Sequence, residues 1–110
     1  MGKQPEELRT LEDFREFFAE IPEHQWTTGY FVVEELGVRK CCAQGHLGQT
    51  LGKDQVQPVG LLTRLLSEAD CFFIVTTVND TAGHYFPQRT PKQRILALID
   101  RAIWNKKSPA

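Results

Sequence analysis

The chain has 110 residues, enough for one modest hydrophobic core, and its 41% hydrophobic and 25% charged residues exclude a disordered chain. The net charge of −1 gives no overall field toward nucleic acid or membrane, and no apolar run approaches the roughly 20 residues that span a bilayer. The polar first ten residues do not resemble a signal peptide. Three cysteines, two of them adjacent, favour reduced thiols and a cytoplasmic location over a disulfide framework.

Charge is unevenly distributed along the chain. Residues 1–35 contain three basic and nine acidic side chains, a balance of −6, whereas residues 89–110 contain six basic side chains and one acid, a balance of +5. This pattern favours two terminal helices that lie near each other and attract. The weaker interpretation is a basic last helix that contacts phosphates or an acidic partner. Aromatic residues do not alternate with its basic ones as on a nucleic-acid surface.

The first predicted helix follows a flexible, charged leader at residues 1–9. Thr10 is suited to cap this helix, and Asp13 supports its first turn. Pro22 ends it. The apolar side chains between them recur at helical spacing and form one stripe, made of Leu11, Phe14, Phe17, Phe18 and Ile21.

A β-hairpin is predicted over residues 30–41. Tyr30–Glu34 is rich in aromatic and β-branched residues, which favour a strand. Leu36 and Gly37 supply a turn, and Val38–Cys41 returns as the antiparallel partner.

A short helix is predicted next, at Cys42–Leu51, although Gly45 and Gly48 weaken it. Because glycine has no side chain, another backbone or a ligand can approach these two positions closely. The start of this helix, Cys-Ala-Gln-Gly-His-Leu-Gly, is the most unusual feature of the sequence.

Three further elements are predicted in the second half. An amphipathic helix begins at Pro58. Cys71–Val78 is apolar and β-branched, which predicts a strand whose start is buried on both faces. A final helix has Thr90 at its cap, Pro91 in its first turn and Gln93 completing a capping box.

These elements predict one α+β domain at residues 10–104 and a frayed C-terminus at residues 105–110. Three to four helices would pack on a small antiparallel or mixed sheet, formed by the hairpin at residues 30–41 and the strand at residues 71–78.

Cys42 and His46 are the first candidates for chemistry. Positions i and i+4 share one face of a helix, and a cysteine at a helix N-terminus has a lowered pKa that favours the thiolate. His46 would act as a base that Asn79 or Asp80 orients, as in a cysteine hydrolase. However, a histidine one turn along the same helix is poorly placed to reach the leaving group. A buried Cys42 and a hydrogen-bonded His46 are the simpler interpretation.

Other kinds of site have less support in the sequence. Four zinc ligands could come from Cys42, His46, Asp80 and His84. Only the first two have metal-ligand spacing, so neither a metal nor another cofactor is expected. Asp80-Thr81-Ala82-Gly83 is similar to the Asp-Thr-Gly turn of aspartic proteases, but Ala82 interrupts the triplet and the chain is too helical for that fold.

Four short features occur in a familiar order: Trp26 with Gly29, the run at residues 40–48, Asn79-Asp80, and the helix start at residues 90–96. In this order they resemble a family of small uncharacterised bacterial and phage domains with a Cys-Ala-x-Gly-His-Leu helix start and a later Asn-Asp strand end. The resemblance covers residues 11–104, and Gln44 stands where that family usually has an apolar residue.

The resemblance implies a fold and a shared local site, but it supplies no activity. The family often has alanine in place of His46, which argues against an obligatory catalytic histidine. The residues that the resemblance would bring together are Cys42, Gly45, His46, Asn79 and Asp80.

The leading hypothesis from the sequence is a non-enzymatic binding or regulatory module. It would bind a protein or a small molecule at a corner formed by Cys42, His46 and Asp80, with Gly45, Asn79 and His84 as further candidate ligand contacts. The alternatives are a small hydrolase or transferase with Cys42 as nucleophile, and nucleic-acid contact through the basic last helix. No membrane association is expected, and the sequence leaves the oligomeric state open.

Overall fold

The computed structural model describes residues 2–107. Within them, five α-helices and one two-stranded sheet follow one another, with short 3-10 turns at Pro5–Glu7 and Glu23–Gln25. The elements are α1 (Leu11–Ala19), β1 (Val32–Glu35), β2 (Val38–Cys41), α2 (Ala43–His46), α3 (Gln57–Glu68), α4 (Val75–Asp80) and α5 (Pro91–Lys107). None of the helices in the described part of the chain is long and apolar enough to cross a membrane.

The hydrophobic core lies between α1, α3, α4 and α5, and the helices predicted from local patterns are confirmed as α1, α3 and α5. α1 begins as predicted, because the Asp13 amide donates to Thr10 Oγ1 at 3.1 Å and the Asp13 carboxylate accepts from the Thr10 amide at 3.2 Å. The side chains buried deepest include Phe14, Phe18, Leu62, Leu66, Ile95, Leu98 and Ile99.

The predicted hairpin is also confirmed. β1 and β2 pair antiparallel, with Val32 opposite Cys41 at the open end. Leu36 and Gly37 form the two-residue turn with φ of 51° and 79°, in the left-handed region that a type I′ turn requires. The preceding segment attaches to the second strand, since the Thr27 amide donates to the Cys41 carbonyl oxygen at 3.0 Å.

The predicted strand at Cys71–Val78 is wrong. Residues 71–74 form no regular secondary structure, and helix α4 begins at Val75, so the sheet contains the hairpin alone. Phe72 and Ile74 are exposed rather than buried on both faces. The physical reason lies in the spacing of the buried side chains, because Val75, Val78 and Asn79 follow a helical period of three and four residues.

Helix α2 is shorter than predicted and ends at His46 rather than Leu51. Gly48 adopts a φ of 101°, and two backbone bonds close the helix end: Gly48 N to Gly45 O at 3.0 Å and Gln49 N to Gln44 O at 3.0 Å. This is the Schellman arrangement, which places a left-handed glycine just after the last helical turn.

The terminal helices pack against each other, as the charge distribution suggested. The ion pair between them runs against the overall charges, because Arg15 of the acidic half donates to Asp100 of the basic half at 2.6 Å. The described fold also extends past the predicted boundaries. Leu8, within the predicted leader, is buried in the core, and α5 continues to Lys107, leaving only residues 108–110 of the predicted frayed end outside the described residues.

The start of α5 departs from the prediction in one detail. Thr90 Oγ1 accepts from the Gln93 amide at 3.2 Å, which confirms the cap. The Gln93 side chain, however, donates to Glu23 at 3.0 Å instead of closing a capping box, so it joins α5 to the second 3-10 turn.

Candidate functional site

Asn79 is the central residue of the predicted site, and its side chain is fully buried. Its Oδ1 accepts from the Ala43 amide at 3.0 Å, and its Nδ2 donates to the Thr27 carbonyl oxygen at 3.0 Å and to Asp80 Oδ1 at 2.8 Å. One amide therefore holds together α4, the start of α2 and the segment before the hairpin. Asn79 therefore has a structural role that connects three segments of the chain.

Arg94 stabilises the same part of the structure. It was not among the site residues predicted from the sequence. It is buried, and its guanidinium donates to the carbonyl oxygens of Val78 at 2.8 Å, Asn79 at 2.6 Å and Gln88 at 2.8 Å. Two of these carbonyls belong to the last turn of α4, where backbone acceptors lack helical partners. Arg94 thus fixes the end of α4 and, through it, the position of Asp80.

Asp80 lies at the exposed end of this network. Its Oδ1 accepts from the Gly29 amide at 3.1 Å as well as from Asn79. Within the described residues, no donor bonds its second oxygen, Oδ2. The carboxylate is therefore held in place through one oxygen, and the other is left without a partner among the described residues.

A cavity of about 360 Å³ opens beside Asp80, between the hairpin and α4. We call it the Cys42–Asp80 cavity, because those two residues of the predicted site line it. Its volume falls at the lower end of the range for small-molecule sites, roughly 300–1,000 Å³. The remaining wall is mostly apolar and includes Tyr30, Phe31, Val32 and Leu51, with the hydroxyl groups of Thr50 and Thr76.

Cys42 contributes a buried thiol to the cavity wall. Burial raises the pKa of this thiol, and the negative charge of Asp80 acts in the same direction, while backbone amides of Gly45 and Gln44 oppose it. The lowered pKa expected at a helix start is therefore not what the structure indicates. A protonated thiol is a poor nucleophile, so the geometry favours Cys42 as a wall residue.

His46 faces a different cavity, formed with Val38, Arg39 and Cys41. Its ring lies against Trp26, with ring centroids 4.8 Å apart. Burial lowers the pKa of His46 to about 4, and its Nε2 is buried without a hydrogen-bond partner among the described residues. Backbone hydrogen bonds at Gln25 and Cys41 act on this pKa in the opposite direction. Among the described residues only Nε2 of the ring is thus left without a partner, and Cys42 and His46 line separate cavities.

The last two candidate residues are Gly45 and His84. Gly45 packs tightly against the backbone just before β1, so a Cβ at this position would overlap the Phe31 carbonyl oxygen. This contact confirms the expected close approach of another chain segment at Gly45. His84 lies on an exposed loop beside the ring of Tyr85. The structure therefore joins Cys42, Asn79 and Asp80 at one place and leaves both histidines elsewhere.

Most residues that line the cavity were not among the predicted site residues, and they include Tyr30, Leu51 and Thr76. Tyr30 and Leu51 are 65% and 91% exposed, which is unusual for large apolar side chains. Thr76 was assigned to a strand, so its orientation toward the hairpin had no signal. Across residues 2–107, no three His, Cys, Asp or Glu side chains are grouped closely enough to hold a metal ion.

Comparison with known proteins adds no identity to this geometry. No family model matches the chain, and neither curated proteins nor solved structures give a match.

Proposed function

We propose that this protein is a non-enzymatic binding module that takes a small molecule into the Cys42–Asp80 cavity. The observation that carries the proposal is the cavity itself, about 360 Å³ with apolar walls and one carboxylate whose second oxygen has no partner. Apolar walls with a few oriented polar groups are the usual composition of small-molecule sites.

The corner around this cavity is held by several buried side-chain hydrogen bonds, which suits a binding site. The buried side chains of Asn79 and Arg94 form their hydrogen bonds with backbone groups and with Asp80. A carboxylate that is already fixed loses little conformational entropy when a ligand binds it. Cys42 contributes a protonated thiol and no paired base, which favours binding over nucleophilic catalysis.

Thr76 and its neighbour Thr77 allow a matched test. Thr76 lines the cavity, whereas Thr77 is exposed on the same helix outside it. A panel of small cationic, neutral and anionic aromatic molecules is titrated into the wild type, T76F and T77F, with the backbone amides of Phe31, Val32 and Thr76 followed by NMR. We expect at least one panel member to shift these amides in the wild type and T77F but not in T76F, whose phenyl ring fills the space.

The folded state of both variants is checked first by their amide spectra and melting temperatures. If no panel member shifts the cavity amides, or if the shifts persist unchanged in a folded T76F, the cavity is not the binding site and the proposal is wrong.

A further inference from the structure

The Cys42–Asp80 cavity contains a single charged side chain. Asp80 is its one acid, and no lysine, arginine or histidine of the described chain lines it. Asp80 Oδ1 is occupied by Gly29 and Asn79, while Oδ2 has no donor among residues 2–107. An occupant that displaces water from Oδ2 without replacing its hydrogen bond would lose free energy, and one that donates a charge-assisted hydrogen bond to it would gain.

The buried Arg94 does not change the preference of Asp80 for a positively charged ligand. Arg94 lies behind Asp80, but all three of its guanidinium nitrogens donate to backbone carbonyl oxygens and its side chain is buried. Its positive charge partly offsets the negative charge of the Asp80 carboxylate, but it offers no hydrogen-bond donor to the cavity. An anionic ligand would therefore meet Asp80 without a cationic side chain of the described chain in the cavity wall to offset the repulsion.

The rest of the wall fits an apolar body next to a cation. Phe31, Val32 and the exposed Leu51 supply apolar surface, and Tyr30 supplies an aromatic ring at the exposed rim. Aromatic faces attract organic cations, and an ammonium group carries three donors that a carboxylate and hydroxyl oxygens accept. Two residues that carry a hydroxyl group, Thr50 and Thr76, line the same cavity.

We infer that the cavity selects a small organic cation, namely a protonated amine attached to an apolar or aromatic body, with the ammonium group on Asp80 Oδ2. This inference rests on the proposed binding function and adds to it the chemical class of the ligand. Its basis is the match between one unpartnered carboxylate oxygen, neutral acceptors and apolar walls.

Three probes of similar size and different charge test the inference: 2-phenylethylammonium, 3-phenylpropan-1-ol and 3-phenylpropanoate. Dissociation constants are measured at pH 7 by following the Phe31 and Thr76 amides. We expect the ammonium to bind at least about tenfold more tightly than the alcohol, the difference that one charge-assisted hydrogen bond supplies, and the carboxylate to bind most weakly.

Asp80→Asn provides the decisive variant. The amide keeps an oxygen that accepts from Gly29 and Asn79, but it removes the charge and replaces Oδ2 by a donor. We expect D80N to weaken ammonium binding about tenfold and to leave alcohol binding nearly unchanged. Asp54→Asn, an exposed carboxylate outside the cavity, is the control and should change neither.

The possible results separate the two proposals. If the alcohol or the carboxylate binds at the cavity amides as tightly as the ammonium, or if D80N leaves the ammonium affinity unchanged, the ligand class is wrong while the binding site stands. If none of the three probes moves the cavity amides, and the wider panel also leaves them unmoved, the binding function itself is wrong.

Discussion

Asn79 Oδ1 accepts a hydrogen bond from the Ala43 amide at 3.0 Å, and this contact joins the end of α4 to the start of α2. The bond is buried and connects residues 36 positions apart in the chain. α2 has four residues and no side-chain cap of its own from Cys42. A helix this short is stable only through its tertiary contacts, so Asn79 supplies what the local sequence lacks.

The first prediction concerns this contact. Asn79→Ala removes three hydrogen bonds and leaves the Ala43 amide and the Thr27 carbonyl oxygen without their partner. Because an unsatisfied buried polar group costs about 1–3 kcal/mol, we expect the free energy of unfolding to fall by roughly 2–4 kcal/mol. Urea denaturation measures it. Asn105→Ala, which removes one bond at an exposed site, is the control and should cost less than about 1 kcal/mol. Equal losses in the two variants would show that Asn79 has no special structural role.

The second prediction concerns the guanidinium below this corner. Arg94→Lys keeps the charge, but one ammonium cannot match the planar fork that reaches the carbonyl oxygens of Val78, Asn79 and Gln88. We expect the free energy of unfolding to fall by about 2–4 kcal/mol, as when a buried charge loses its partners. Arg89→Lys, on the exposed loop, should be neutral within about 0.5 kcal/mol. Chemical denaturation of both variants measures these changes. An R94K variant with the same free energy of unfolding as the wild type would contradict the role assigned to Arg94.

The amphipathic helices and the hairpin could be predicted because their signals are local. Thr10 and Asp13 lie three residues apart, and the Leu36-Gly37 turn lies between its two strands. The strand prediction at Cys71–Val78 failed because β-branched composition outweighed a weaker helical spacing. The helix at this position is stabilised by hydrogen bonds of Asn79 and Arg94, two residues that lie outside Cys71–Val78. A tertiary contact of this kind overrides local propensity.

The candidate site could be predicted only in part, for the same reason. Cys42 and Asp80 line one cavity, because Asn79 bonds the Ala43 amide next to Cys42. His46 was placed with them on helical spacing, yet α2 ends at that residue and its ring turns to Trp26. Tyr30 and Leu51 become cavity residues only through the path of the connecting loops, which carries no sequence period.

The third prediction uses the contrast between two helical glycines. Gly45→Ala places a Cβ on the Phe31 carbonyl oxygen, a backbone atom that the hairpin holds, so we expect a loss of at least about 2 kcal/mol in the free energy of unfolding. Gly60→Ala in α3 meets only the flexible end of Gln55 at 3.5 Å, an ordinary contact, and should stabilise the protein by up to about 1 kcal/mol. Thermal and urea unfolding measure both variants. If G45A were as stable as G60A, the close packing of α2 on the hairpin would be refuted.

The fourth prediction concerns acid sensitivity and the half-buried imidazole of His46. Burial lowers the pKa of His46 from 6.5 to about 4, so the unfolded chain binds its proton more readily than the folded chain does. Stability from this residue is therefore complete above pH 6.5 and is lost as the pH falls toward 4. The loss is on the order of 3 kcal/mol across that window. NMR titration of the His46 ring should give the low pKa directly.

His46→Phe separates this effect from other acid-sensitive groups. The phenyl ring retains an aromatic contact with Trp26 but carries no proton, so the free energy of unfolding of H46F should change far less between pH 6.5 and 4 than that of the wild type. Asp13 contributes little in this window, because the Arg9 amide holds the pKa of its carboxylate below the ordinary 3.8, and most of the stability it contributes is lost below about pH 4. His24→Phe, at an exposed position, should keep the wild-type profile. A wild-type profile in H46F as well would assign the acid sensitivity to another group.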